Sequence, residues 1–76
     1  MDKFIIVYES KINSVKIVTY HSDLYENKNK GSMNVYAEEL TTHRKEARFF
    51  YDIDEACKIA NLFKTKTHKP SIAKML

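Results

Sequence analysis

The chain has 76 residues, of which 43% are hydrophobic and 30% are charged, and its formal net charge is +3 at pH 7. This length and composition describe one small domain and exclude collagen-like, low-complexity and multidomain proteins. A single cysteine excludes an intramolecular disulfide, and the apolar run of five residues before Glu9 is too short for a signal peptide or a membrane span. We therefore expect a cytoplasmic protein without a membrane partner.

The first twenty residues predict a β-hairpin. Residues 3 to 9 alternate imperfectly, with apolar side chains on both faces in the middle of the run. That pattern is typical of a strand that is covered on both sides, or of one whose second face meets another chain. Residues 15 to 20 form another β-rich run, and the short polar stretch of residues 10 to 14 favours a tight connection between the two.

The next segment is expected to be an exposed loop. Residues 21 to 32 show no periodicity and contain the only glycine of the chain. Leu24 and Tyr25 in this segment are candidate partner-binding residues, because exposed apolar groups on loops are commonly used in protein contacts.

The middle of the chain is less regular. Residues 33 to 37 predict a third strand. Residues 38 to 51 fit either a helical or a strand pattern, and we favour a polar turn or a helical turn at 42 to 46, followed by a short strand at 48 to 51.

The clearest local signal is a helix start at Asp52. This side chain is expected to accept a hydrogen bond from the backbone amide of Glu55, whose own side chain reaches back in a capping box. A helix is predicted over residues 53 to 64, with apolar residues at steps of three and four packed on the sheet. Those residues are Ile53, Ala56, Cys57, Ile59, Ala60, Leu62 and Phe63. The Cys57 thiol is therefore expected to be buried and structural.

The last segment is expected to be a basic tail, residues 65 to 76, which follows a single domain of residues 1 to 64. Pro70 favours the first position of a helix, and the spacing of the apolar residues after it predicts a final helical turn. Three of these apolar residues are candidate partner contacts: Ile72, Met75 and Leu76. This end is expected to fold back over the sheet face that the helix leaves open.

Charge is segregated along the chain. Residues 64 to 76 carry four lysines and no acidic residue, whereas residues 1 to 63 sum to −1. The four are Lys64, Lys66, Lys69 and Lys74. One interpretation is that these side chains contact nucleic-acid phosphates. The alternatives are a solvated end with its lysines in water, and an end that docks on another protein.

The sequence shows no pattern typical of catalysis, of a metal site or of a cofactor site. One glycine excludes a glycine-rich phosphate loop, and the three histidines are too far apart for a helical or hairpin metal site. Helix capping explains the acidic cluster of Asp52, Asp54 and Glu55, while Glu38 and Glu39 are expected on the exposed surface. We therefore predict no catalytic, metal-binding or cofactor-binding residue and no small-molecule substrate.

One segment combines a short aromatic strand with a capped helix: Ala47-Arg48-Phe49-Phe50-Tyr51-Asp52-Ile53-Asp54-Glu55-Ala56. With its continuation to residue 66, it resembles the ending of small uncharacterised phage and prophage accessory proteins of low-GC Gram-positive bacteria. The resemblance implies a strand-rich first half, followed by this strand-to-helix unit, in an accessory protein that acts by binding. It implies no catalytic residue and does not extend to the basic tail.

The predicted fold is a small α+β domain, with an antiparallel sheet of three or four strands, one C-terminal helix packed on one face, and a basic tail. Because one helix covers only one side of a sheet, the apolar side chains of the other side need cover from the chain's end or from another molecule. The predicted function is a non-enzymatic, phage-derived interaction module that binds a host or phage protein or self-associates. The alternative is a nucleic-acid-binding accessory protein that uses the four lysines.

Overall fold

The computed structural model describes residues 2–28, 34–66 and 68–75. The described chain contains four strands, one 3₁₀ turn and one α-helix: β1 Lys3–Ile12, β2 Val15–Lys28, β3 Asn34–Thr41, the 3₁₀ turn Arg44–Glu46, α1 Ile53–Phe63 and β4 Pro70–Met75. The strands form one antiparallel sheet in the order β3-β2-β1-β4. The predicted α+β class with one helix is confirmed, and the antiparallel sheet has four strands where three or four were predicted.

The first two strands form the predicted hairpin, with a turn tighter than expected. Ile12 pairs with Val15, so only Asn13 and Ser14 lie in the turn. Both residues have positive φ angles, 52° and 67°. Two-residue turns of this kind match the twist of antiparallel strands, and asparagine tolerates the left-handed region better than most residues.

The expected loop at residues 21 to 32 is wrong for residues 21 to 28, which continue β2 and pair with β3; residues 29 to 32 lie outside the described residues. The register shifts between His21 and Asp23, which marks a β-bulge. Past this bulge the ribbon is only two strands wide. We call it the arm: residues 21–28 of β2 together with Asn34–Thr41 of β3.

The predicted strand at residues 48 to 51 is reduced to a single bridge. Pairing of β1 with β2 does not extend past Tyr20, and the chain around Phe50 occupies the space where the two strands separate. The Phe4 and Phe50 amides donate to each other's carbonyl oxygens at 2.7 and 2.8 Å, and the Arg48 amide donates to the His21 carbonyl at 2.9 Å. This segment therefore links β1 to the bulged part of β2.

The helix begins where the sequence predicted, but the capping box is wrong. The Asp52 carboxylate accepts from the backbone amide of Asp54, at 2.9 Å, rather than from Glu55. The Glu55 side chain lies 3.8 Å from the Arg48 guanidinium. The helix has 11 residues, and among the described residues no helix is long and apolar enough to cross a membrane.

The core lies between α1 and the β1 and β4 strands. Its buried residues are Ile6, Tyr8, Phe50, Ala56 and Ala60, with Phe4, Ile59 and Ile72 packed around them. The helix buries a narrower stripe than predicted, and its buried residues are Ala56 and Ala60. Ile53 and Leu62 remain 47% and 50% exposed, and the Cys57 thiol is exposed rather than buried.

The predicted final helical turn is wrong, because residues 70 to 75 form the edge strand β4. They pair with β1 from Tyr8↔Pro70 to Lys3↔Met75. Pro70 suits this place, since proline is tolerated at the start of an edge strand. The end of the chain therefore widens the sheet instead of covering its open face, and the helix is not the last element.

Strand alternation divides the apolar residues of β1 between two faces. Phe4, Ile6 and Tyr8 point to the side of α1, which we call the helix face. Ile5 and Val7 point to the opposite side, which we call the second face, and Ile5 has no exposed surface. The second face carries further apolar residues at the paired positions: Val18, Tyr20, Ala73 and Met75.

Candidate functional site

A buried polar cluster joins the arm to the core on the helix face. The Tyr8 hydroxyl donates to Glu38 Oε2 at 2.8 Å, and His21 Nδ1 lies 2.6 Å from the same oxygen. The side chains of His21 and Glu38 are 0% and 6% exposed. His68 stacks on the Tyr8 ring with centroids 4.2 Å apart, and its Nε2 is 4.0 Å from Glu38 Oε1. Glu38 of β3 is thus the centre of contacts from β1, β2 and the segment before β4.

This cluster was missed by sequence reasoning, which placed Glu38 on the exposed surface. Its sequence separations from the two hydrogen-bonded partners are 30 and 17 residues. No short-range pattern marks such a set. The only local signal is the position of Glu38 between Tyr36 and Leu40, which places all three on one face once a strand through residues 34 to 41 is assumed.

The cluster retains the proton of the Tyr8 hydroxyl. Burial, together with the nearby Glu38 carboxylate that accepts its hydrogen, raises the pKa of the Tyr8 hydroxyl well above its usual range. A carboxylate oxygen accepts, so His21 Nδ1 donates to it. Within the described part of the chain, His21 Nε2 is the one buried side-chain nitrogen or oxygen without a hydrogen-bond partner. We interpret the cluster as the anchor that fixes the arm against the sheet.

The described residues hold no group of three or more histidine, cysteine, aspartate or glutamate side chains arranged to bind a metal ion.

Beside this anchor, the helix face of the arm carries an uncovered apolar patch. Tyr36 and Leu40 are each 40% exposed, and Leu24, which pairs with Glu38, is half-buried. The helix packs mainly on β4 and β1, so it leaves this side of β2 and β3 open. We call Leu24, Tyr36 and Leu40 the arm patch. Sequence reasoning found only Leu24 of the three.

The predicted pair Leu24 and Tyr25 does not form one surface. Successive strand residues point to opposite faces, so Tyr25 lies on the second face, where it is 46% exposed. Its hydroxyl donates to Glu39 Oε2. This hydrogen bond, more than any other influence, raises the pKa of Tyr25 to about 12.

The other predicted partner contacts are likewise separated. Ile72 is half-buried and packs against the core. Met75 lies on the second face, where its sulfur accepts from Arg44 Nε and Nη2 at 3.2 and 3.0 Å. Leu76 lies outside the described residues. Ile72 and Met75 therefore lie on opposite faces of β4 and do not form a common contact.

Three of the four predicted nucleic-acid-binding lysines share one place in the fold. Lys64, Lys66 and Lys69 line an open groove of about 550 Å³ just after the helix, together with Thr65. Lys74 is further along β4, roughly 16 Å from Lys69 at the usual rise of a strand. Its ammonium is 3.4 Å from the Asp2 carboxylate.

Comparison of the chain with protein-family models, with curated proteins and with solved structures found no match in any of the three.

Proposed function

We propose that this protein is a non-enzymatic interaction module that binds another protein through the arm patch. One observation carries the proposal: α1 covers the sheet over β1 and β4 and leaves Tyr36 and Leu40 of the arm exposed. Exposed aromatic and aliphatic residues on one surface are typical of protein contacts. The mode of action that fits a small module of this kind is occlusion or scaffolding of its partner.

The anchor supports this proposal, because it orders the arm before a partner binds. An isolated two-stranded ribbon is marginally stable in water. Here Glu38, which lies among the residues of the arm patch, receives donors from β1 and β2. A surface that is already ordered loses less conformational entropy on binding.

The cellular setting remains the one that the sequence predicts. A reducing compartment such as the cytoplasm suits a chain whose one cysteine, Cys57, is free and exposed. The resemblance to phage accessory proteins also stays a prediction.

Affinity capture from an extract of the source organism tests the proposed function. Tagged wild-type protein, Leu40→Asp and Tyr36→Ser are compared after nuclease treatment, with Lys11→Ala in the hairpin as the matched control. We expect the wild type and the control to capture the same protein. Once this protein is purified, it should bind the two arm variants at least about tenfold more weakly than the wild type, because each variant loses a central apolar contact. Equal binding by all four proteins would contradict the arm patch as the contact.

A second candidate function, nucleic-acid binding, is favoured by the groove lined by Lys64, Lys66 and Lys69. Three cations around one groove attract phosphates more strongly than the same charges dispersed along a tail. The Asp2 carboxylate reduces the attraction of Lys74 for phosphates. Such a contact would depend on charge and not on base-reading arginines, so it would not select a base sequence.

Retention on immobilised single-stranded DNA tests this candidate. Reversal of the three groove lysines to glutamate should abolish retention, while Lys74→Glu should retain most of it. The slope of log affinity against log salt should be about −2 for three phosphate contacts on a single strand. Retention that survives reversal of the groove lysines would remove this candidate.

A further inference from the structure

The outer edge of β3 is open to an added strand. β3 lies at one end of the sheet order, and no strand of the described chain pairs with it on the side away from β2. The Glu39 carbonyl accepts from Ser22 Oγ at 3.0 Å, so it points towards β2. Because successive strand residues direct their amide and carbonyl groups to alternate sides, those of Tyr36, Glu38 and Leu40 point outward. The edge therefore offers backbone donors and acceptors beside the arm patch.

The two edges of the sheet are protected differently. Natural sheets block pairing at an edge with proline, with lysine and with short strands. β4 combines these features, since it has six residues and includes Pro70 and Lys74. β3 has eight residues and contains neither proline nor lysine. The Glu38 carboxylate of β3 is turned inward to the anchor. The β3 edge is therefore the one suited to pairing with another strand.

The arm is acidic, which determines the chemistry of a partner strand. Its residues 21–28 and 34–41 carry four acidic side chains and one lysine, a formal sum of −3 in a chain whose net charge is +3. Glu39 pairs with Asp23 of β2, so two exposed carboxylates lie on one face of the arm. A cationic side chain opposite Glu39 would form a cross-strand pair of opposite charge, which stabilises a sheet.

The same acidic residues disfavour a second copy of the chain as the added strand. The two-fold pairing that uses Tyr36 and Leu40 of both copies is centred on Glu38, so it places the two Glu38 residues directly opposite each other. A register shift of two residues centres the pairing on Glu39 instead. Like charges directly opposite each other destabilise a sheet. The occupant that fits this edge is therefore a strand of another protein.

We propose that the partner protein supplies an extended segment that pairs with the outer edge of β3 as a fifth, antiparallel strand. This inference rests on the proposed function and specifies the partner of the same arm patch. All strand pairs of the sheet are antiparallel, and this mode is the more stable per residue. The added strand places apolar side chains beside Tyr36 and Leu40 and a lysine or arginine opposite Glu39. In the chain order of the partner, the pattern is an apolar residue, a basic residue, two residues of any type and a second apolar residue.

Selection from a random peptide library displayed on phage, with the full-length chain immobilised, tests the proposal. We expect the selected peptides to carry this pattern and to bind Leu40→Asp at least about tenfold more weakly than the wild type. Lys11→Ala in the hairpin should bind them as the wild type does. Glu39→Lys should weaken binding by about fivefold, because it opposes the basic residue of the peptide. Glu26→Lys carries the same charge reversal one strand further from the peptide, so its loss should be less than about twofold.

Methylation of single backbone nitrogens in one selected peptide distinguishes strand addition from other modes of binding. A methyl group removes a hydrogen bond to β3 only at the peptide residues opposite Tyr36, Glu38 and Leu40. Binding should weaken by about tenfold at these three positions and by less than about twofold at the two positions between them. This alternation is the signature of a strand, and side-chain docking without backbone pairing does not produce it.

The results that would overturn the proposal are distinct from those that test the proposed function. Failure to select a peptide, selected peptides that bind Leu40→Asp as tightly as the wild type, or methylation effects that do not alternate would each overturn strand addition at β3. A dimer of the chain alone in sedimentation, dissociated by Leu40→Asp, would assign the edge to a second copy and overturn it as well. The proposed function would survive these outcomes if the captured partner still required Tyr36 and Leu40. Circular dichroism verifies that every variant is folded.

Discussion

The substitution Glu38→Gln tests the anchor of the arm, because it keeps the shape of the side chain and removes its charge. The carboxylate accepts hydrogen bonds from Tyr8 and His21 and is 6% exposed. Each hydrogen bond to a buried charged group contributes about 1.5 to 3 kcal/mol. Glutamine retains one acceptor and introduces an amide donor, so we expect a net loss of about 3 kcal/mol.

A loss of this size is large for so short a chain. Domains of this length have an unfolding free energy of about 4 to 11 kcal/mol, and about 3 kcal/mol corresponds to a fall in Tm of about 12 to 24 °C. Thermal and urea unfolding followed by circular dichroism measure it. Glu26→Gln, an exposed substitution in the same arm, is the matched control and should change the unfolding free energy by less than about 0.5 kcal/mol. If Glu38→Gln behaves like this control, the anchor is not what holds the arm.

Three further predictions follow from the fold. Asp52→Ala should lower the unfolding free energy by about 1 kcal/mol, because it removes the helix cap. Asp52→Asn still accepts from the Asp54 amide and should lower the unfolding free energy much less. Urea titration of the two variants measures the difference, and equal losses would contradict the cap. Because the folded state raises the pKa of Tyr8 above its ordinary value of 10.0, the contribution of this hydroxyl to stability should be constant below about pH 10 and fall above it as the unfolded chain releases this proton first. Tyr8→Phe should flatten that decline in alkaline unfolding curves without abolishing it, since Tyr25 also titrates late; an unchanged slope would count against the cluster. Deletion of residues 70 to 76 should abolish cooperative thermal unfolding, because β4 completes the sheet under the helix; a truncated chain with an unchanged Tm would show that β4 is dispensable.

The parts of the fold that the sequence predicted are those set by local chemistry. The hairpin follows from two β-rich runs around Asn13 and Ser14, which adopt the required positive φ angles. The helix follows from Asp52 and the apolar repeat after it. Both signals act over a few residues, so they can be read without knowledge of the rest of the chain.

The arm and β4 could not be read in this way. In the arm both faces are partly exposed, so residues 21 to 28 lack the alternation that identifies a half-buried strand. The apolar spacing after Pro70 fits a helical turn, but β1 is apolar on both faces and takes this segment as its second neighbour. Here a tertiary contact prevailed over the local pattern.

The candidate site depended on long-range contacts even more strongly. Glu38 meets Tyr8 and His21 only after three strands have assembled, and Leu24 faces Tyr36 and Leu40 only through the register of the arm. The lysines are an intermediate case. Their clustering is visible in the sequence, but only the fold shows that Lys74 is separated from the other three.

Photo-crosslinking in cells of the source organism tests most directly the claim that this protein acts by binding another protein through the arm. A benzoylphenylalanine replaces Tyr36 in one version and Lys58, on the exposed side of α1, in the other. We expect a discrete protein adduct at position 36 that disappears when Leu40→Asp is added, with no matching adduct at position 58. No adduct, the same adduct at both positions, or an adduct with nucleic acid instead of protein would contradict the account.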